Sequence, residues 1–309
     1  MISFRYHVVT IVAVFLALGI GVVVGTTTVK PAVINELDRR ADEAIQTANR
    51  LREDVATQTR ELNAWDAFAQ AAQPLLIQGR LADRVFVLVT TQDGDPSELD
   101  GIRRALGEAG AEVRGVLVVT AKMGLADASS RTSLAELLGL PASLPPDNLS
   151  KQAGARLGSR LTGGASLDPE TDLLRLLVTA KFVQVTPRQA IDTLGGIDQT
   201  VVVMSGGQQA LIPSPGDFYM PLVTSLVQGA HPVAAVETEE DVNGFVTLVR
   251  RDGTLGTRVL TVDNVDSMPG EIALVLGLDG LLGPGLGSCV DFGVKAGTCG
   301  LLPQAIPSP

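Results

Sequence analysis

The feature that most constrains this chain is an uncharged apolar run near its start, from Val8 to Val24. The absence of charge continues to Val29, and Lys30 follows it. A helix from Val8 to Val29 would extend about 33 Å, enough for a hydrocarbon core of about 30 Å. A cleaved signal peptide and a buried core helix are the alternatives, but no A-x-A cleavage pattern follows the run. We predict a membrane anchor over residues 1–30.

The charges that flank this run do not settle the orientation of the anchor. Arg5 lies before the run, whereas Lys30, Arg39 and Arg40 follow it, so the positive-inside count does not favour export. Long domains are translocated largely regardless of charge, so this count does not decide the topology. A second uncharged stretch, 218–236, is broken by two prolines and a glycine. We therefore expect a single crossing.

Residues 31–72 show a heptad pattern typical of a coiled-coil helix. Apolar residues recur at alternating steps of three and four, and only Gln58 interrupts them. The predicted interface consists of Ile34, Leu37, Ala41, Ala44, Ala48, Leu51, Val55, Leu62 and Trp65. A helix this long is rarely stable alone in water, so we expect a second copy of the chain or another protein as partner. In a homodimer Glu61 would face Asp66, a repulsive pair, and a helix folded back on its own domain is the further alternative.

Composition excludes several classes of function. Lys and Arg total 24 against 34 for Asp and Glu, and a net charge of −10 has the wrong sign for binding a phosphate backbone. We expect no nucleic-acid partner. Two cysteines and two histidines are too few for a disulfide scaffold, or for a four-ligand zinc site without added carboxylates.

Beyond Pro74 the pattern changes to short apolar runs separated by helical segments. Five runs read as strands buried on both faces, namely Arg84–Thr90, Val113–Thr120, Thr200–Met204, Pro232–Val236 and Arg258–Val262. Apolar spacing predicts a helix between the first two strands and another, Tyr219–Gln228, between the third and fourth. Alternating strands and helices predict a doubly wound, mainly parallel α/β domain over 80–283. Residues 121–181 read as a helical insertion, and 284–309 as an irregular Gly/Pro-rich tail.

A glycine pair follows the third predicted strand. Ser205, Gly206 and Gly207 precede Gln208, where the carboxyl end of a sheet strand could meet a ligand. The chain has neither G-x-G-x-x-G nor G-x-x-x-x-G-K-[ST], so we favour a simple turn over a phosphate cradle.

Acidic residues follow two of the predicted strands. Asp263, Asn264 and Asp266 come after the fifth, and their oxygens could converge on a hard cation. Capping of the next helix by Asp266 or Ser267 explains them more simply, and we favour it. Segment 93–96, with two aspartates before a proline, has the same turn-then-helix interpretation.

Nucleophilic catalysis needs a base beside the nucleophile, and the chain has only His7, at the membrane boundary, and His231, just before a proline. We interpret His231 as a partly buried structural residue. The sequence therefore does not predict an enzyme.

The two thiols, Cys289 and Cys299, lie in the Gly-rich tail. If the domain is exported, a disulfide is the leading interpretation, because oxidising compartments favour it. A soft-metal pair is the alternative, and Met204, Met220 and Met268 could assist in binding Cu(I). No C-x-x-C or M-x-x-M pattern is present, so the ligands alone do not indicate copper.

The amino terminus carries a more specific signal. Met1 to Gly25, MISFRYHVVTIVAVFLALGIGVVVG, resembles the start of the actinobacterial MctB family of copper transport proteins. The likeness extends to the heptad helix, to the strand before Gly206 and Gly207, and to the Gly-rich terminal segment. It includes a motif formed by Thr261, Val262, Asp263, Asn264, Val265 and Asp266.

The resemblance implies an anchored cell-envelope protein whose α/β domain is extracytoplasmic. It implies a role in copper efflux or homeostasis, with copper as the candidate ligand. It also implies a second role, in which the coiled coil binds a divisome membrane protein and regulates a peptidoglycan hydrolase.

This chain departs from the family in one segment. Asp291, Phe292 and Gly293 stand where the family has GHYG, although LLP is kept at Leu301 to Pro303. The departure removes a histidine that could bind copper, and the two cysteines could replace it.

Overall fold

The computed structural model describes residues 4–206, 214–241, 244–283 and 289–303; the side chains of residues 4 and 26–34 lie outside this description. The chain divides into two compact units, Met1–Ala67 and Phe68–Pro309. Helix α1 runs from Phe4 to Ile77, so most of it forms the first unit and its last turns belong to the second.

The first unit contains a candidate membrane span. Arg5–Gly25 is long and apolar enough to cross a bilayer, and its side chains are exposed. The heptad region that follows is helical, as its pattern predicts. Its described apolar side chains face outward, with Leu51 59% and Leu62 65% exposed, whereas the side chain of Ile34 lies outside the described residues.

The second unit is an α/β domain. Along the chain its elements are β1 (Val85–Thr91), α2 (Pro96–Glu108), β2 (Glu112–Val119), α3 (Ala128–Leu138), α4 (Pro146–Gly163), α5 (Leu173–Thr179), β3 (Val183–Thr186), β4 (Gln199–Ser205), α6 (Pro215–Gln228), β5 (Val233–Glu237), α7 (Phe245–Arg251), β6 (Val259–Val262), α8 (Met268–Leu282) and β7 (Asp291–Phe292). Short 3-10 turns occupy Ala121–Gly124 and Arg188–Asp192.

The strands form one mixed sheet in the order β3-β2-β1-β4-β5-β6-β7. All neighbouring pairs are parallel except β2 and β3, which are antiparallel. The chain passes from β1 to β2 on one side, and β4 later pairs with β1 on the other. In sheets of this kind, the carboxyl ends of the two strands where the order reverses flank a crevice that is the usual place for a ligand.

Alternating strand residues supply two apolar cores, one on each face of the sheet. Val87 and Val89 of β1 pack with residues of α3 to α7, whereas Phe86 and Leu88 pack with residues of α2, α8 and the end of α1. Buried strands of this kind are apolar on both faces, which is why they could be recognised from sequence.

Two strands were not predicted. Strand β3 is a four-residue edge strand that alternates buried and exposed residues, and it follows the helical stretch directly. Strand β7 has two residues and lies in the segment predicted to be irregular, so that prediction was wrong for 291–292. Both are too short for periodicity to reveal them. They form because an adjacent edge strand, β2 or β6, offers unpaired backbone groups.

Candidate functional site

Buried polar side chains gather at the carboxyl ends of β1 and β4. Ser205 Oγ donates a hydrogen bond of 2.7 Å to Asp241 Oδ2, and Thr91 Oγ1 lies 3.4 Å from the carbonyl oxygen of Gly206. These bonds tie the end of β4 to the end of β1 and to the segment after β5. Tyr219, from α6, is buried beside them, and burial raises the pKa of its phenol.

Glu98 lies on the other face of the same edge, in the first turn of α2. Burial, and after it the nearby carboxylates of Asp266, Asp95 and Asp241, raise the pKa of its carboxyl to about 7. Among the described residues its Oε2 has no hydrogen-bond partner, and the same is true of the hydroxyl of Thr90. Close to neutral pH this position can therefore exchange a proton or accept a cation.

Sequence reasoning missed Glu98 and Thr90. Each has an ordinary local explanation, Thr90 as a strand residue and Glu98 as an acidic residue in the first turn of a helix. They share one edge because α2 directly follows β1, and the parallel pairing of β1 with β4 adds Met204 and Gly206 beside them. The available signal was the prediction that a helix follows the first strand directly, which places its first turn near the end of that strand.

A second network lies at the carboxyl ends of β5, β6 and β7. Lys295 Nζ lies 2.9 Å from Glu237 Oε1, and Arg250 Nη1 lies 2.6 Å from Asp263 Oδ2. Both carboxylates are fully buried. Burial raises the pKa of Glu237, and the hydrogen bonds from Lys295 and the amide of Val246 oppose this. Here each buried acid has a base.

Segment 261–266, the motif that resembles the family, forms part of this network. Asp263 accepts backbone N–H bonds from Val294, at 2.7 Å, and from Lys295, while Thr261 donates to Asp291 at 2.7 Å. A Cβ on Gly293, where φ is +133°, would lie only 2.0 Å from Asp263 Oδ1. The motif therefore holds the segment after β7 against the sheet.

The remaining motif residues support the next helix. Ser267 caps α8, with Gly270 N 3.2 Å from its Oγ, and Asn264 Nδ2 donates to the same oxygen. Asp266 Oδ1 accepts from the amide of Glu239, and Val265 is buried in the core. Capping is thus confirmed for Ser267. In the described part of the chain, no three acidic, cysteine or histidine residues are grouped as a metal site would need.

The structure joins Cys289 and Cys299 in a disulfide, with the Cα atoms 6.3 Å apart. As a metal site the pair stays a prediction for the reduced protein. Met204 belongs to the core on the α2 face and Met220 packs against the opposite core, so the sheet separates these two thioethers. Met268 begins α8.

The other predicted positions are structural. His231 is buried, with Nδ1 3.1 Å from the carbonyl of Gln199 and Nε2 3.3 Å from that of Thr162, as expected for a structural histidine. Asp95 caps α2 through the amide of Ser97. Gly206 contributes its carbonyl to the edge described above, whereas Gly207 and Gln208 lie outside the described residues.

These features define an α/β protein with an amino-terminal apolar helix and a polar edge on its sheet. Residues 1–303 match the family described as "Copper transport outer membrane protein, MctB", and the chain belongs to that family. Proteins called copper transporter MctB from Mycobacterium tuberculosis and Mycobacterium bovis are each 25% identical over 301 residues, covering 92% of this chain and 94% of theirs. The Mycobacterium leprae protein of that name is 24% identical over 302 residues, with the same coverage.

Proposed function

We propose that this chain serves copper transport or copper homeostasis at the cell envelope. The observation that carries the proposal is the family match over 1–303, together with mycobacterial relatives that are named copper transporters. At the level of the family, copper transport and a membrane location are supported. The proposal gives the chain a role in handling copper, with no reaction of its own.

We also propose that Arg5–Gly25 is a single anchor and that the α/β domain lies outside the cytoplasm. The disulfide between Cys289 and Cys299 supports this side of the membrane, because disulfides persist in oxidising compartments. A doubly wound architecture for the domain is supported by the strand order and by helices that pack on both faces of the sheet.

Copper enters this proposal as cargo. Cu(I) prefers thiolates and thioethers, and the reduced pair Cys289 and Cys299 is the predicted soft site. Thiolates are available only when the disulfide is reduced, so copper binding at the pair requires the dithiol form.

The test is copper tolerance in cells that lack the native gene and carry one variant each. Wild-type protein should restore tolerance to added copper and lower cellular copper, with no effect on tolerance to zinc. The double variant Cys289→Ser, Cys299→Ser should lose this rescue if the pair takes part, while the neighbouring Thr298→Ala should keep it. Equal copper content with and without the wild-type gene contradicts the copper role itself.

A second candidate function is association through the heptad helix, with a second copy of the chain as the partner. It is favoured by the outward-facing apolar positions Leu51, Val55 and Leu62, which are 59 to 65% exposed. The charged residues Glu36, Arg39 and Glu43 form ion pairs within the helix. They thus stabilise one helix without specifying a partner.

Association is tested by the mass of the full-length protein in detergent across a range of concentrations. Leu51→Asp with Leu62→Asp should reduce the mass to that of a monomer, whereas Ala56→Asp, off the heptad stripe, should leave it unchanged. A wild-type monomer at every concentration contradicts self-association. The divisome role stays a prediction, to be tested by capture of the membrane partner with the same variants.

A further inference from the structure

Two polar atoms near the carboxyl ends of β1 and β4 are buried without a hydrogen-bond partner among the described residues. Thr90 is 3% exposed, and among the described residues its Oγ1 has no hydrogen-bond partner. Glu98 Oε2 is also buried and has no partner in the described part of the chain. Burying such groups unpaired costs free energy, and a bound ion or ordered water is among the partners that relieve this cost in native proteins.

A glycine without a side chain lies beside each of these atoms. A Cβ on Gly94 would lie 3.4 Å from Thr90 Oγ1 and 3.5 Å from the methyl carbon of Met204. A Cβ on Gly206 would lie 3.4 Å from Glu98 Oε2 and 3.9 Å from the same methyl carbon. The Met204 methyl therefore lies beside both glycines, and it links the surroundings of the hydroxyl to those of the carboxylate.

The charges around Glu98 favour a positively charged ligand over a negatively charged one. The carboxylates of Asp266, Asp95 and Asp241 act on Glu98, and each disfavours its negative charge. Bringing a positive group to Glu98 relieves this repulsion. The segment after β7 carries a base, Lys295, but its ammonium is paired with Glu237.

The available contacts fit an ammonium group on an alkyl chain. An ammonium has three N–H donors and no acceptor, which matches a hydroxyl and a carboxylate oxygen that lack donors. The methyl groups of Met204 and Thr238 both lie 3.9 Å from the Cβ position of Gly206, and they offer apolar contact to methylene groups. A metal ion fits less well, because the described residues contain no group of three acidic, cysteine or histidine ligands.

We propose that the carboxyl ends of β1 and β4 bind a primary alkylammonium group, from a small amine or a lysine side chain, through Glu98 and Thr90. This site goes beyond copper handling and does not depend on it. Glu98 accepts from the ammonium as a charge-assisted bond, Thr90 accepts a second N–H, and the two methyl groups flank the alkyl stem.

The test is titration calorimetry of the full-length protein in detergent with n-butylamine and, separately, with Nα-acetyl-lysinamide. We expect saturable binding of a primary amine. Glu98→Gln should weaken it by about tenfold or more, since the charge-assisted bond is lost, and Thr90→Val by about threefold. Glu136→Gln, an exposed acid on α3, should not change the affinity.

Proton release provides a second readout. Since the ligand favours the ionised form of Glu98, binding should expel a proton near neutral pH, and the affinity should rise from about pH 6 to about pH 8. Repeating the titration in buffers of different ionisation enthalpy measures the released proton. Glu98→Asp, which keeps the charge, should retain part of the binding and of the release if Glu98→Gln fails to fold.

The outcomes separate the sources of the ligand. Binding of butylamine supports a small amine, and binding of the lysine derivative alone supports a protein side chain. The proposal is overturned if neither amine saturates, if tetramethylammonium, which has no N–H, binds as tightly, or if Glu98→Gln changes nothing. Binding of Ag⁺ at this position in preference to amines would reassign it as a metal site. Copper tolerance is measured independently, so failure here leaves the copper proposal standing.

Discussion

The carboxyl edge of the sheet has two halves that treat buried charge in opposite ways. On the β5 to β7 side, Asp263 and Glu237 are fully buried and each has a basic partner. On the β1 and β4 side, Glu98 is surrounded by other carboxylates, and its Oε2 is unpaired among the described residues. A paired buried acid supports the fold, whereas an unpaired one is retained at a cost in stability. The first half therefore reads as structural and the second as functional.

The largest expected effect comes from breaking the paired half. Asp263→Ala leaves the buried Arg250 with only the more distant carboxylate of Asp291, 3.6 Å from its Nε, and removes the acceptor of the Val294 amide. Loss of one partner of a buried ion pair costs about 3–5 kcal/mol, and we expect a loss of that size in the free energy of unfolding. Denaturant unfolding of the full-length protein measures this loss. Asp263→Asn keeps the size of the side chain, so it measures the contribution of the charge alone. A loss below about 1 kcal/mol would mean that Arg250 finds another partner.

The next effect concerns the disulfide that closes the loop containing β7 and the segment after it. Cys299→Ser should lower the free energy of unfolding by about 3 kcal/mol, since the bridge constrains a short loop in the unfolded chain. Hydrogen exchange at the amides of Val294 and Lys295 should accelerate, because they dock on Asp263 from within that loop. Reductant should reproduce both effects in wild-type protein and add nothing to the variant. Unchanged exchange would mean that Asp263 alone holds the segment.

The β5 to β7 side of the sheet edge was easier to predict from the sequence than the β1 and β4 side. Five of the strands were predictable because each contains a continuous apolar run, as in Val201 to Val203. The acidic residues after β6 were also found, and capping by Ser267 was foreseen. The pairing of Asp263 with Arg250 was not, because local pattern does not show which residue of α7 faces the next strand.

The functional half was harder to predict for a physical reason. Glu98 becomes unusual only through its surroundings, which come from Asp95 in its own segment and from segments after β4, β5 and β6. Sequence reasoning marked the glycines after β4 and the thiols of the tail, since their types stand out. It could not see that a common acid in a helical first turn would be half-buried beside three other carboxylates.

Removing the charge of Glu98 should have a smaller effect on the free energy of unfolding, and one of opposite sign. The pKa of Glu98 is about 7 in the folded protein against an ordinary 4.5, so the folded state binds its proton more tightly. Its contribution to stability is therefore present below about pH 4.5 and is lost as the pH rises to about 7. Glu98→Gln should raise the free energy of unfolding at pH 8 by about 1 kcal/mol, a figure reduced for its partial exposure. At pH 4 the variant and wild type should agree; a stability loss at pH 8 would show that the ionised acid is compensated.

The smallest expected effect tests whether the stability cost of breaking an ion pair depends on its burial. Arg80 and Asp279 form an ion pair of 3.3 Å, but their side chains are 53% and 36% exposed. Asp279→Ala makes the same chemical change as Asp263→Ala, removing an aspartate from an arginine. Because water replaces the lost partner, we expect a loss of only about 0–0.5 kcal/mol, and it should shrink further at high salt. If this exposed pair costs as much as the buried one, then desolvation does not distinguish the halves of the sheet edge, and the unpaired state of Glu98 loses its meaning as a mark of function.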